Sequence, residues 1–212
     1  MTLSVTGRVL AERLAPQAGT MATLTRAALV AAGIVLLAVA AKVQVPAWPS
    51  PVPVTMGTFA VLALGTAYGP RLGLLTILGY MLIGALGADV FAGSASVHGL
   101  AYMMSSTGGY LVGYVLATLA LGLAARAGWD RSVLKMAGAM LIGNALIYIP
   151  GVLWLHHVIV AGGLFHADKF ATVWDQTLAW GVTPYLIGDA MKLALAALLL
   201  PGLWKLVGRL RG

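Results

Sequence analysis

Long apolar runs, separated by short polar, glycine-rich or proline-rich stretches, set the pattern of this chain. The runs cover residues 24–41, 54–68, 72–88, 99–125, 133–160 and 185–207. Each predicts a helix that crosses a bilayer. The second and third are short, near the roughly 17 residues that a spanning helix needs. Gly69-Pro70-Arg71 predicts a tight turn between them, and Gly65, Gly69 and Gly73 repeat at a spacing that lets backbones approach closely. The fourth run is interrupted by Ser105-Ser106-Thr107-Gly108-Gly109, which predicts a bent or broken helix. That patch either packs helices or lines a cavity. The fifth contains Asn144, an interhelical hydrogen-bonding group or a ligand contact, and Pro150-Gly151, which predicts a kink.

The connecting stretches differ in kind. Residues 1–23 mix Arg8, Glu12 and Arg13 with Leu3, Val9, Leu10 and Leu14. They predict either an interfacial helix or an unstructured lead-in. Residues 42–53 hold prolines 46, 49, 51 and 53 around Trp48, so they form a stiff extended loop, acting as a connector or as a lid. Residues 89–96 are rich in Gly, Ser and Ala, and residues 161–183 make a long polar and aromatic connection. Ala38-Val39-Ala40 resembles a signal-peptidase site. The leader would be unusually long, however, and the small residues of this first run suit a retained packing helix. The chain therefore divides into an N-terminal segment 1–23, one membrane domain 24–207 and a basic tail 208–212.

Composition agrees with this pattern. Hydrophobic residues are 60% of the chain and charged residues only 9%, against about 25% in a soluble domain. The expected class is an all-α membrane protein with six transmembrane helices. There is no cysteine, hence no disulfide and no thiolate site. The net charge of +7 is a topology signal rather than a nucleic-acid surface. With six spans, Arg8, Arg13, Arg26, Arg71, Arg126, Arg131, Lys135, Lys205, Arg209 and Arg211 fall on one side. Only Lys42 and Lys169 fall on the other, and Lys192 lies in the membrane. The positive-inside rule then places both termini in the cytoplasm, as for a multi-pass protein of a bacterial cytoplasmic membrane.

Candidate chemistry concentrates in Gly188-Asp189-Ala190-Met191-Lys192. An acid and a base three residues apart share a helix face. Neither faces lipid cheaply, since Asp or Lys at mid-bilayer costs about 2.5–3.5 kcal/mol. The pair holds a polar ligand, serves as packing glue or carries protons. Its place near the outer end of the last helix, below three outer loops, suits a pocket loaded from outside. No G-x-x-x-x-G-K-[ST] phosphate loop, H-E-x-x-H or G-x-S-x-G occurs. Adjacent His156 and His157 point in different directions, and with His98 and His166 they read as interfacial or loop residues rather than metal ligands. A binding protein without cofactor is expected, not an enzyme.

Several blocks resemble one family in its order. They are Pro51-Val52-Pro53-Val54-Thr55, Gly57-Thr58-Phe59-Ala60, Gly69-Pro70-Arg71-Leu72-Gly73, Gly84-Ala85-Leu86-Gly87 through Val90-Phe91-Ala92-Gly93, Thr107-Gly108-Gly109-Tyr110, and the Asp189–Lys192 block. Over residues 40–200 the chain resembles the biotin-specific substrate-binding (S) components, BioY, of energy-coupling factor transporters. The resemblance implies a six-helix protein that captures biotin from outside and works with a transmembrane coupling (T) protein and cytoplasmic ATPase subunits. It maps the family's last-helix acid and base onto Asp189 and Lys192. Tyr185 and Asn144 are further candidate substrate contacts. Ser94-Ala95-Ser96-Val97-His98 and Ser105-Ser106 depart from the family's pattern, so Ser94, Ser106 and Thr107 are candidates by position only. Small residues on helix 1 dock the coupling protein in such components; Ala28 and Ala32 fit that role, although Leu36 breaks the next step. The alternative is a self-sufficient carrier, proton-coupled through Asp189 or acting as a homodimer.

Overall fold

The computed structural model describes residues 7, 9–14, 18–45, 50, 52–93 and 96–209. The helices are α1 (Leu10–Leu14), α2 (Thr20–Lys42), α3 (Gly57–Ala85), α4 (Gly99–Met103), α5 (Gly108–Arg126), α6 (Val133–Ala161), α7 (Val173–Gly181) and α8 (Leu186–Arg209). Two short strands, β1 (Gln44–Val45) and β2 (Val54–Thr55), pair antiparallel and close the proline-rich loop at its base. Four helices (α2, α3, α5 and α6) and the α7–α8 segment as the fifth are long and apolar enough to cross a membrane, among the described residues.

The spans expected at 54–68 and 72–88 fall within α3, which is broken at Gly69. There φ is 74° and ψ 179°, a backbone that glycine adopts without steric penalty, and Pro70 cannot donate a helical N–H. A Cβ on Gly73 would lie 3.6 Å from the Cα of Gly65. Residues eight apart on a straight helix are about 12 Å apart. The arms 57–68 and 70–85 therefore fold back on each other.

Helix α5 is the centre of the bundle, packed between α3 and α6. Its glycines sit at the crossings: a Cβ on Gly113 would meet Ile147 of α6, and one on Gly122 would meet Pro70. The expected break in the fourth run is present. Helix α4 ends at Met103, and α5 starts at Gly108. Helix α2 lies at the side of the bundle against α3, with Gly33, Leu37, Ala40 and Ala41 buried. It begins at Thr20, earlier than the expected residue 24.

Two connections hold more structure than the sequence suggested. The stretch 161–183 contains α7, started by a capping box in which the Thr172 hydroxyl accepts from Asp175 N–H and the Asp175 carboxylate accepts from Thr172 N–H. Near the N-terminus, Val9, Leu10 and Ala11 are buried. Val9 packs on the Gly69 turn, and Glu12 pairs with Arg126 at 2.6 Å.

At the same end as the Gly69 turn, the turn Trp129–Arg131 grips α8. Trp204 Nε1 donates to Asp130 Oδ2 at 2.5 Å, and the Arg131 guanidinium lies 4.6 Å over the Trp204 ring. Burial pushes the Asp130 carboxyl above the ordinary carboxylate range, although the Trp204 N–H and Arg131 pull it down. The folded chain thus holds this proton more tightly than the unfolded one. The group's stabilising contribution is full below the ordinary range and is lost as pH rises through the raised folded value. Asp130→Asn removes that loss. The melting temperature of the variant relative to wild type, read in detergent, is expected to rise from about pH 4 to about pH 8. A pH-independent difference would contradict it.

Candidate functional site

Asp189 lies in the first turn of α8, where the helix dipole favours negative charge, and is 7% exposed. Lys192 is one turn on. Its Nζ lies 3.1 Å from Asp189 Oδ1 and donates to Thr58 Oγ1 at 3.0 Å. The Tyr148 hydroxyl donates to Asp189 Oδ2. Thr58 comes from the first turn of α3 and Tyr148 from α6, so the pair sits where α3, α6 and α8 meet. An ammonium has three protons and a carboxylate about four acceptor sites. Two of each are used in these contacts. The pair is therefore close to neutral yet presents a spare donor beside a spare acceptor.

Both side chains open onto one cavity, whose interatomic space, mouth included, is about 750 Å³. Its apolar wall includes Leu37 and Ala41 of α2, Leu111 of α5 and Ile147 of α6. Six of the chain's seven tyrosines complete it: Tyr80, Tyr102, Tyr110, Tyr114, Tyr148 and Tyr185. Their rings wall the cavity while most of their hydroxyls tie down neighbouring segments. Tyr80 donates to the Val90 carbonyl at 3.0 Å and Tyr102 to that of Ala92. Tyr110 donates to the Gly181 carbonyl at 2.9 Å. Tyr185 donates to the Val52 carbonyl, and Ser50 Oγ lies 2.9 Å from the Tyr185 hydroxyl. Ser50 also donates to the Trp180 carbonyl.

The segment after α3 is fixed by Phe91, fully buried between Tyr102, which it stacks on at 4.9 Å, and Tyr80, which it meets edge-on at 5.2 Å. A Cβ on Gly84 would occupy the ring of Phe91. Lys42, at the end of α2, pairs with Asp89 and donates to the Phe91 carbonyl at 2.9 Å.

A second, wider space adjoins the cavity, sharing Pro53, Ala92, Tyr102 and Thr107 with it. Its wall adds Gln44, Ser50, Ser96, Ser105 and Ser106. Gln44 and Ser96 are exposed, so this vestibule reaches the surface.

The candidates from sequence are thus placed as follows. Asp189, Lys192, Tyr185 and Thr107 line the cavity, and Ser106 and Thr107 line the vestibule. Asn144 does not line either; it is half-buried one turn before Tyr148, the α6 residue that reaches the pair. Ser94 lies outside the described residues, as do Pro46, Trp48, Pro49 and Pro51 of the loop. Ala28 and Ala32 are exposed on the outer face of α2. His156 stacks on Trp174 at 3.9 Å with Nδ1 3.2 Å from Thr177 Oγ1, His157 neighbours Trp154 and His166 neighbours Trp180. Among the described residues no group of three or more His, Asp or Glu could hold a metal ion.

Sequence reasoning missed Thr58 and five of the tyrosines, Tyr148 among them. One signal was available. Tyr80, Tyr110, Tyr114 and Tyr148 sit inside apolar runs, away from the interfaces where tyrosine usually lies in membranes. Their hydroxyls need partners there.

A model of the BioY family matches residues 13–209. The chain belongs to the BioY family. Among its relatives is the probable biotin transporter BioY of Pyrococcus horikoshii, 32% identical over 171 residues, 81% of this chain and 91% of that protein. Another is the biotin transporter BioY of Thermotoga maritima, 31% identical over 180 residues, 84% of this chain and 96% of that protein. The fold is similar to the crystal structure of the S-component for biotin from an ECF-type ABC transporter. The TM-score is 0.68, with 89% of this chain and 95% of that chain covered at 16% identity. The BioY match covers α2 through α8, and so takes in every described residue of the cavity wall.

Proposed function

We infer that this chain is the substrate-specific biotin-uptake component of an ECF-type vitamin transporter, and not an enzyme. Family membership and the biotin transporters among its relatives support the substrate. The observation that carries the reading is the Asp189–Lys192 pair, nearly neutral and doubly braced, at one side of a tyrosine-walled apolar cavity. A cyclic urea presents an N–H beside a carbonyl. The spare acceptor of Asp189 takes the N–H, and the spare proton of Lys192 goes to the carbonyl. A carboxylate in the same place would meet the charge of Asp189. The ureido ring of biotin therefore sits at the pair, the thioether ring and chain lie against the tyrosine and aliphatic wall, and the valerate end points to the vestibule.

Counting the two arms of α3 separately gives six spans and puts both termini on one side, cytoplasmic by the distribution of Lys and Arg, in a bacterial cytoplasmic membrane. Cavity and vestibule then load from outside. No ATP-binding phosphate loop is present in the sequence, so the energy of transport comes from partners: a membrane coupling (T) protein and cytoplasmic ATPase subunits. The exposed face of α2 with Ala28 and Ala32 is the docking side. No homodimer is needed for the cavity, which one chain completes.

Calorimetric titration of the purified protein with biotin, with thiamine and riboflavin as controls, tests the reading. Selective nanomolar binding, about −12 kcal/mol, is expected. A folded protein that ignores biotin, or binds the three alike, would refute it.

A further inference from the structure

The vestibule has no charge to offer a carboxylate. Among its described residues the polar groups are Gln44, Ser50, Ser96, Ser105, Ser106, Thr107 and the Tyr102 hydroxyl, which is held by the Ala92 carbonyl, with no Lys or Arg. The undescribed residues of the adjoining segments, Pro46, Ala47, Trp48, Pro49, Pro51, Ser94 and Ala95, carry no cationic side chain either. Lys42, near in sequence to Gln44, is held by Asp89 and the Phe91 carbonyl. His98 follows the vestibule segment but is not in its wall.

Given the orientation argued above, on which this step rests, we propose that the site does not read the acid end of its ligand as an ion. It accepts biotin whose carboxyl group is derivatised as an amide, including secondary amides to a lysine amine, as well as free biotin. Hydroxyl groups both donate and accept hydrogen bonds, so they serve a neutral amide as readily as a carboxylate. Affinity then comes from the ureido end and the ring wall, which an amide leaves unchanged. A substituent beyond the amide has a way out, because Gln44 and Ser96 at the rim are exposed. Nothing is transferred or cleaved; the amide is bound intact.

The test is competition against radiolabelled biotin on the purified full chain, using biotin, biotin primary amide, Nε-biotinyl-lysine and diaminobiotin, which lacks the ureido carbonyl. Both amides are expected within about tenfold of biotin, and diaminobiotin more than about a hundredfold weaker. His98→Gln is expected to leave these ratios unchanged. A primary amide more than about a hundredfold weaker than biotin would overturn the uncharged acid end. A primary amide that binds while the lysyl amide does not would overturn the open rim. A preference for free biotin over the amides that disappears on His98→Gln would assign the acid end to that histidine. If biotin itself fails to bind, the reading of the site fails instead, which the label alone reports.

Discussion

Asp189→Asn and Lys192→Met are each expected to raise the dissociation constant for biotin about ten- to a hundredfold, because each removes a charge-assisted hydrogen bond of about 1.5–3 kcal/mol at the ureido group. Each also leaves the other ion buried without its partner, since both side chains are about nine-tenths covered. Breaking such a pair costs about 3–5 kcal/mol, so both single variants should also melt earlier. The double variant D189N/K192M separates the two effects. It removes both charges, and replacing a whole buried pair by neutral groups is often nearly neutral for stability. It should regain most of the lost melting temperature and none of the affinity. Titration and thermal unfolding of the three variants in one detergent provide the measurement. A double variant that binds biotin as wild type would make the pair packing glue, braced by Thr58 and Tyr148 for the bundle's sake alone.

The second large effect is expected at Gly113, which carries no polar side chain. A single methyl group there would lie 2.6 Å from the Cα of Ile147 and 2.8 Å from its carbonyl oxygen. These are backbone atoms of α6 and cannot rotate away. Helices α5 and α6 must separate, and overpacking of this kind costs about 1–3 kcal/mol or more. Tyr110 and Tyr114 ride on the same face of α5, and Tyr110 meets Tyr148 edge-on at 6.3 Å. Gly113→Ala should therefore lower both the thermal stability and the affinity for biotin. Gly138→Ala is the internal contrast. Nothing lies within 4 Å of its added carbon, and alanine is about 1 kcal/mol better than glycine inside a helix. Its melting temperature should be equal or higher with affinity kept. Equal behaviour of the two variants would remove the close α5–α6 crossing from the account.

Both predictions bear on what could be read from residues alone. The Asp189–Lys192 pair was legible because a charge inside an apolar run is costly wherever it faces, so its position carries information without a fold. The Gly69-Pro70 reversal was legible because both residues act on the backbone itself. The helix α7 was missed although its capping box, Thr172 and Asp175, stood in the sequence; polar and aromatic composition hid it. Asn144 drew attention as a polar group in a span, whereas Tyr148 one turn later makes the contact. In an apolar helix a tyrosine looks like packing until its hydroxyl is given a partner.

The sequence by itself determined the class of the protein, roughly where its long apolar helices run, where they break, and which charged pair they carry. Those features follow from hydropathy, from backbone chemistry and from the cost of burying ions, all of which act locally. It did not determine which faces of the helices turn inward. A spanning helix is apolar all round, since lipid and protein interior favour the same residues, so no polar stripe marks the buried side. Only the tertiary packing, with glycines of α5 admitting α3 and α6 at close range, decided that six tyrosines from five parts of the chain share one cavity. The same packing set Thr58 and Tyr148 on the buried pair and left an uncharged vestibule at the cavity's mouth.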